Sequence, residues 1–239
     1  MSHWTGLDFH ARQPVCEGWG AMMGDYLAHI RRDDSAEQTV SEHLRRVGDL
    51  MAEFAAGIGL SATARLIGLL HDLGKCTQEF AEYLAYCRQN PDDHSRRGTV
   101  DHATAGGQLL LRRYGAHSEE GQLAADMAAL VIFSHHSGLM NYVDKKGYAD
   151  FLRRVEKDDL LERVDLAYYY REVIGEEALD RLFAEAVGEF SALDARIQSC
   201  ASEETENYHF AWGMVHKLLF RCWSMPIAWT APSSSWMYD

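Results

Sequence analysis

The chain has 239 residues, 47% hydrophobic and 25% charged, with a net charge of −13. This is enough for one sizeable globular domain, and it argues against a protein that coats nucleic acid through a broadly basic face. No apolar run approaches the roughly 20 residues of a membrane span, and five scattered cysteines (Cys16, Cys76, Cys87, Cys200, Cys222) form no Cys-x-x-Cys pair.

Reduced thiols in a cytoplasm are therefore expected. The opening Met-Ser-His-Trp-Thr-Gly has neither the basic head nor the apolar core of an export signal. The acidity does not exclude action on nucleic acid, because divalent ions bound in a cleft supply local positive charge whatever the global sum.

In chain order, Ser35-Ala-Glu-Gln38 has the spacing of a capping box. Val40, Leu44, Val47, Leu50, Met51 and Phe54 follow at helical spacing. Ser61 can cap a second helix whose apolar run ends at His71-Asp72, with Gly74 as a left-handed stop. Thr77 opens a third helix with Phe80, Tyr83, Leu84 and Cys87 on one face, halted before Pro91. Residues 90–100 are polar and predict a loop, and Asp101 can cap a helix carrying His102, Ala105 and Leu109.

Residues 124–133 predict a strongly apolar helix that delivers His135-His136 at its end. Residues 147–170 predict two shorter helices with a charged joint at 156–159, and 176–200 and 203–223 predict long amphipathic ones. Runs of alternating β-branched residues are scarce, so the expectation is an all-α fold in a single domain.

The stretch Gly68-Leu-Leu-His71-Asp72-Leu-Gly-Lys75 sets a histidine and a carboxylate side by side at a helix end. With His43 before it and His102 and His135-His136 after it, the order is His, His-Asp, His, His-His, each in or beside an apolar helical segment. Singly, each histidine has an ordinary explanation as a polar face or helix-end residue. Jointly they form a donor set of the kind that facing helices build around metals. Imidazole with carboxylate suits Mn, Fe, Co or Ni in preference to Mg or Zn. A shared Asp72 could hold two such ions close enough to clamp the attacking and leaving oxygens of a phosphate ester. Lys75, one turn past His71, is placed to meet a phosphate oxygen or to fix Asp72.

These motifs resemble the HD superfamily of metal-dependent phosphohydrolases. Glu42-His43-Leu44, His71-Asp72-Leu-Gly-Lys75, Asp101-His102-Ala-Thr-Ala-Gly106 and Ser134-His135-His136-Ser-Gly138-Leu139 are similar to the HD nuclease domain of the type I CRISPR-associated nuclease-helicase. The resemblance runs from about Gly24 to Phe220, so residues 1–222 are expected to form the HD nuclease domain. It implies an all-α HD fold with a metal site between helices. It implies one ion on His43, His71 and Asp72, and a second on Asp72, His102, His135 and His136. It also implies cleavage of single-stranded DNA, with a CRISPR helicase and an RNA-guided surveillance complex as partners, the helicase being separate or lost.

The rival readings are a phosphohydrolase of nucleotides or cyclic dinucleotides, and a metal-impaired scaffold module. The HD-GYP phosphodiesterases follow the tandem histidines with Glu and a near Gly-Tyr-Pro, whereas here Ser137 follows and Gly147-Tyr148 precedes Ala149.

Residues 223–239 do not follow that pattern. The family's last helix ends in a Leu-Val-Asp-Ala-Asp-Arg-Leu-Asp type of motif that completes the first site, whereas this chain reads Trp-Ser-Met-Pro-Ile-Ala-Trp-Thr from Trp223. Pro226 is expected to break a helix there. Trp and Met each have a single codon. Read from the third base of each codon, this stretch gives Ala and Asp at fixed places, gives Val where the Ser224 codon is TCN, and permits the missing motif in full. The expectation is an aberrant tail at 223–239 arising from a single-nucleotide shift near Cys222, with a weakened first metal site.

Overall fold

The computed structural model describes residues 24–31, 35–116, 118–136, 138–140, 150–157, 160–200 and 205–230. The order is β1 (Leu27–Ile30), β2 (Glu37–Thr39), α1 (Val40–Ala55), α2 (Ser61–Leu70), α3 (Gln78–Gln89), α4 (Ala105–Tyr114), α5 (Glu119–Ser134), α6 (Asp150–Val155), α7 (Leu166–Glu172), α8 (Glu176–Cys200) and α9 (Thr205–Thr230). Short 3-10 turns at Ala56–Ile58, Leu73–Lys75 and Leu161–Arg163 join them. The fold is all-α, apart from one hairpin in which β1 pairs antiparallel with β2.

That hairpin corrects the expected start of the first helix. Ser35 adopts φ 57 in the turn, and residues 37–39 extend as a strand. The capping box is instead Thr39 with Glu42: the Glu42 N–H donates to Thr39 Oγ1 at 3.2 Å, and the Thr39 N–H donates to Glu42 Oε2 at 3.1 Å. Below this cap, Val40, Leu44, Val47, Met51 and Ala55 form the buried stripe of α1.

Ser61 does not cap α2, since its hydroxyl donates to the Ala52 carbonyl. The free N–H groups of Ala62 and Thr63 donate instead to the Glu189 carboxylate of α8, both at 2.8 Å. Thr77 caps α3 as expected, accepting from Phe80 N. His102 lies ahead of α4 rather than on it, because Asp101 Oδ1 accepts from the Ala103 and Thr104 N–H groups in a turn that only then enters the helix.

α1 and α2 pack at very close range. A Cβ on Gly68 would lie 2.6 Å from the Gly48 Cα, so only glycine permits this approach. Around the pair, one core joins residues of α1, α2, α4, α5, α7, α8 and α9. A smaller cluster of Ile30, Phe80, Tyr83, Leu84 and Cys87 fixes the hairpin to α3.

α9 runs through Pro226 to Thr230, against the expected break. A proline removes one N–H and kinks a helix, but it does not have to end one. Gly147 and Tyr148 lie outside the described residues, as do Cys16 and residues 231–239 of the tail. Cys76, Cys87, Cys200 and Cys222 are free thiols.

Candidate metal centre

The close crossing of α1 and α2 determines where the first donors meet. His43 lies five residues before Gly48 on α1, and His71 follows the end of α2 three residues past Gly68. Their Nε2 atoms come within 3.2 Å of each other. Asp72 follows at the 3-10 turn. Gly74 in that turn is not the expected left-handed stop: it makes a close approach, its N–H donating to the His102 carbonyl, and a Cβ there would sit 2.6 Å from His102 Cα. This contact brings the loop bearing His102 beside the dyad. α5 ends at Ser134, so His135 and His136 emerge from its C-terminus toward the same point.

The two oxygens of Asp72 face two separate groups. Oδ2 lies 3.3 Å from His43 Nε2 and 3.2 Å from His71 Nε2. Oδ1 lies 3.0 Å from His135 Nε2 and 3.9 Å from His102 Nε2, and His102 Nε2 is 2.7 Å from His136 Nε2. Metal bonds of about 2.1 Å separate neighbouring donors by roughly 3.0 Å at a right angle and 3.4 Å at the tetrahedral angle. The triangle of His43, His71 and Asp72 fits that range on all three edges. Asp72, His102, His135 and His136 form the second candidate cation group.

Protonation supports the same conclusion. His71 Nδ1 donates to the Gly68 carbonyl at 2.8 Å, His135 Nδ1 to Ile132 at 2.6 Å and His102 Nδ1 to Val100 at 3.1 Å. A carbonyl only accepts, so each Nδ1 carries a proton and each Nε2 is turned inward. These Nε2 atoms converge on each other and on a carboxylate, an arrangement that needs protons or cations between them. Carbonyls that anchor Nδ1–H in this way are the usual outer support of metal-ligating histidines.

Burial lowers His43 to about 4, His102 to about 4 and His136 to about 3, keeping them neutral at pH 7. Burial alone would raise the Asp72 carboxyl. His71, the Lys75 ammonium and hydrogen bonds from His135 and His43 outweigh it and hold the group well below its ordinary range. The residues fit divalent metal.

Lys75 is buried, and its Nζ lies 2.9 Å from Asp72 Oδ2, so it meets the carboxylate directly. The same ammonium donates to the Ala28 carbonyl at 3.3 Å and to His29 Nε2 at 3.2 Å. His29 is the site residue that sequence reasoning missed. It is one histidine in a four-residue strand, and only the hairpin brings it beside α1.

Trp223 of α9 lines the other side, its ring 5.3 Å from that of His135 and 6.5 Å from that of His71. It gives the centre an apolar wall on that side. A cleft of about 1050 Å³ opens from Lys75, His102 and His136. Five cationic side chains (Lys75, Arg97, Arg153, Arg154, Lys157) line it against two carboxylates, Asp101 and Asp150, with Phe80 and Tyr83 on one wall.

The structure thus gathers His43, His71, Asp72, Lys75, His102, His135 and His136 in one place. Among the described residues, no helix is long and apolar enough to cross a membrane. Comparison with curated proteins gave no match. The HD domain family model matches residues 40–179, from the first residue of α1 into α8, and so takes in every one of these seven side chains. A match over more than half the chain, centred on a histidine and aspartate cluster of this geometry, places the protein in the HD domain family, whose members are metal-dependent phosphohydrolases.

Proposed function

We propose that the chain is a two-metal phosphodiesterase that cleaves single-stranded DNA in type I CRISPR interference, working with a helicase and an RNA-guided surveillance complex in the cytoplasm. The observation that carries the hydrolytic part is the split of Asp72, one carboxylate oxygen toward His43 and His71 and the other toward His102 and His135. Held on either side of Asp72, divalent ions would supply Lewis-acid charge for water activation and for the phosphoryl oxygens.

The chain's own residues do the positioning. His43 and His71 would hold one ion, and His102, His135 and His136 the other, with Asp72 between them. Lys75 orients the shared carboxylate from behind, and Trp223 and Phe80 limit water access. The DNA specificity is supported by the motif resemblance and by the cleft. Its excess of cations suits a phosphodiester backbone despite the net charge of −13.

The test uses the purified chain with Mn, Co or Ni. Circular single-stranded DNA should be cut, while cyclic dinucleotides and nucleoside triphosphates remain intact. Asp72→Asn should lower cleavage at least about hundredfold while the helical circular-dichroism spectrum is retained. Asn is chosen because alanine would leave the Lys75 ammonium buried without a hydrogen-bond acceptor at this position. Preferential turnover of a cyclic dinucleotide would overturn the DNA assignment, and full activity of Asp72→Asn would overturn the bridging role.

A further inference from the structure

The first ion site is one donor poorer than the second: His43, His71 and Asp72 against Asp72, His102, His135 and His136. The hairpin brings up another donor. His29 is buried on β1, its ring edge-on to that of His43 at a centroid distance of 4.7 Å. One donor atom each from His29, His43 and Asp72 lie within 4.8 Å of one another. The direction of its lone pair follows from Lys75. An ammonium can only donate, so the 3.2 Å contact with Lys75 Nζ means that His29 Nε2 is an acceptor aimed at a cation. That cation is held at the same time by Asp72 Oδ2 at 2.9 Å. His29 and Asp72 already share one positive charge, at the edge of the site where the donor count is short.

We propose that His29 is a fourth protein ligand of the ion bound by His43, His71 and Asp72, and that Lys75 holds His29 and Asp72 together until that ion takes up their lone pairs. This rests on the metal-dependent reading above. It differs from a purely structural role, in which His29 only accepts the Lys75 hydrogen bond. Two variants separate these roles. His29→Gln offers an amide oxygen to Lys75 but is a poor ligand. Lys75→Met removes the ammonium and keeps the imidazole.

The experiment loads the full chain with Co and measures bound equivalents after dialysis by plasma mass spectrometry. Visible absorption of the bound Co reports its ligands. His43→Ala and His102→Ala identify the two equivalents. His29→Ala and His29→Gln should both weaken the His43 equivalent at least about tenfold and change its Co spectrum, leaving the His102 equivalent in place. Added imidazole should restore the lost equivalent in His29→Ala. Lys75→Met, which removes the ammonium that orients Asp72 but keeps the imidazole, should weaken the His43 equivalent less than His29→Gln does and leave the Co spectrum of the bound ion unchanged.

Equal loss in Lys75→Met and His29→Gln would overturn the ligand role, as would two undiminished equivalents in His29→Gln. If the unaltered chain binds no Co at all, the metal reading itself falls and this inference with it. If it binds two ions indifferent to His29, only the inference falls.

Discussion

Loss of hydration keeps His43, His102 and His136 neutral, and this has a measurable sign. His43 and His102 drop to about 4 and His136 to about 3 from an ordinary 6.5. The unfolded chain therefore binds more protons than the folded one as pH falls below about 6.5, and linkage makes acid destabilising. The contribution of these groups is complete above 6.5 and is lost as pH falls through about 4. Asp72, itself held low, adds a loss of the same sign at still lower pH. The metal-free chain, melted in a chelator, should show a Tm that falls steadily from pH 7 to pH 4.5. A flat profile would contradict the burial of these rings as neutral donors.

At the scale of elements, the centre depends on how closely α1 and α2 approach. Gly68 has no room for a side chain, since the nearest obstacle is the backbone of Gly48 rather than a movable side-chain tip. Gly68→Ala has to push the helices apart, at a cost of about 1–3 kcal/mol for overpacking. The same shift separates His43 from His71. A lower Tm together with loss of one metal equivalent is expected. Gly188→Ala serves as the control: it lies mid-helix on α8 with nothing within 4 Å of its added Cβ, so helix propensity should stabilise it by up to about 1 kcal/mol. Similar melting of the two variants would show that the crossing is not sterically determined.

For the whole molecule, charge is distributed against its average. A net charge of −13 repels a polyanion at long range, yet the cleft beside the centre carries more cations than carboxylates. Arg154 and Lys157 are already committed to Asp101. Arg153 is largely exposed, pairs only at its edge with Asp150, and lies at the cleft with Arg97. Reversing both, Arg97→Glu with Arg153→Glu, should raise KM for single-stranded DNA about tenfold at low salt, with metal content unchanged. The penalty should shrink as salt screens the cleft. A KM insensitive to both reversal and salt would place the substrate path elsewhere.

Periodicity and order along the chain were enough to show an all-α fold and the set His43, His71, Asp72, His102, His135 and His136. Helical spacing and a His-Asp dyad are local patterns, and local patterns survive in one dimension. Cap positions were less legible. Ser35 and Ser61 have the right chemistry in the sequence, but the strand before α1 and the Glu189 carboxylate, 126 residues beyond Thr63, took over those tasks. His29 was not legible at all, because a lone histidine in a four-residue strand has no periodicity to announce it. Only the folding of the hairpin against α1 and Lys75 gives it a role. The sharing of Asp72 was expected from the motifs, but which of its oxygens faces which donors was decided in three dimensions. It depends on the Gly48–Gly68 crossing and the Gly74–His102 contact, distances of a few ångströms that no spacing along the chain encodes.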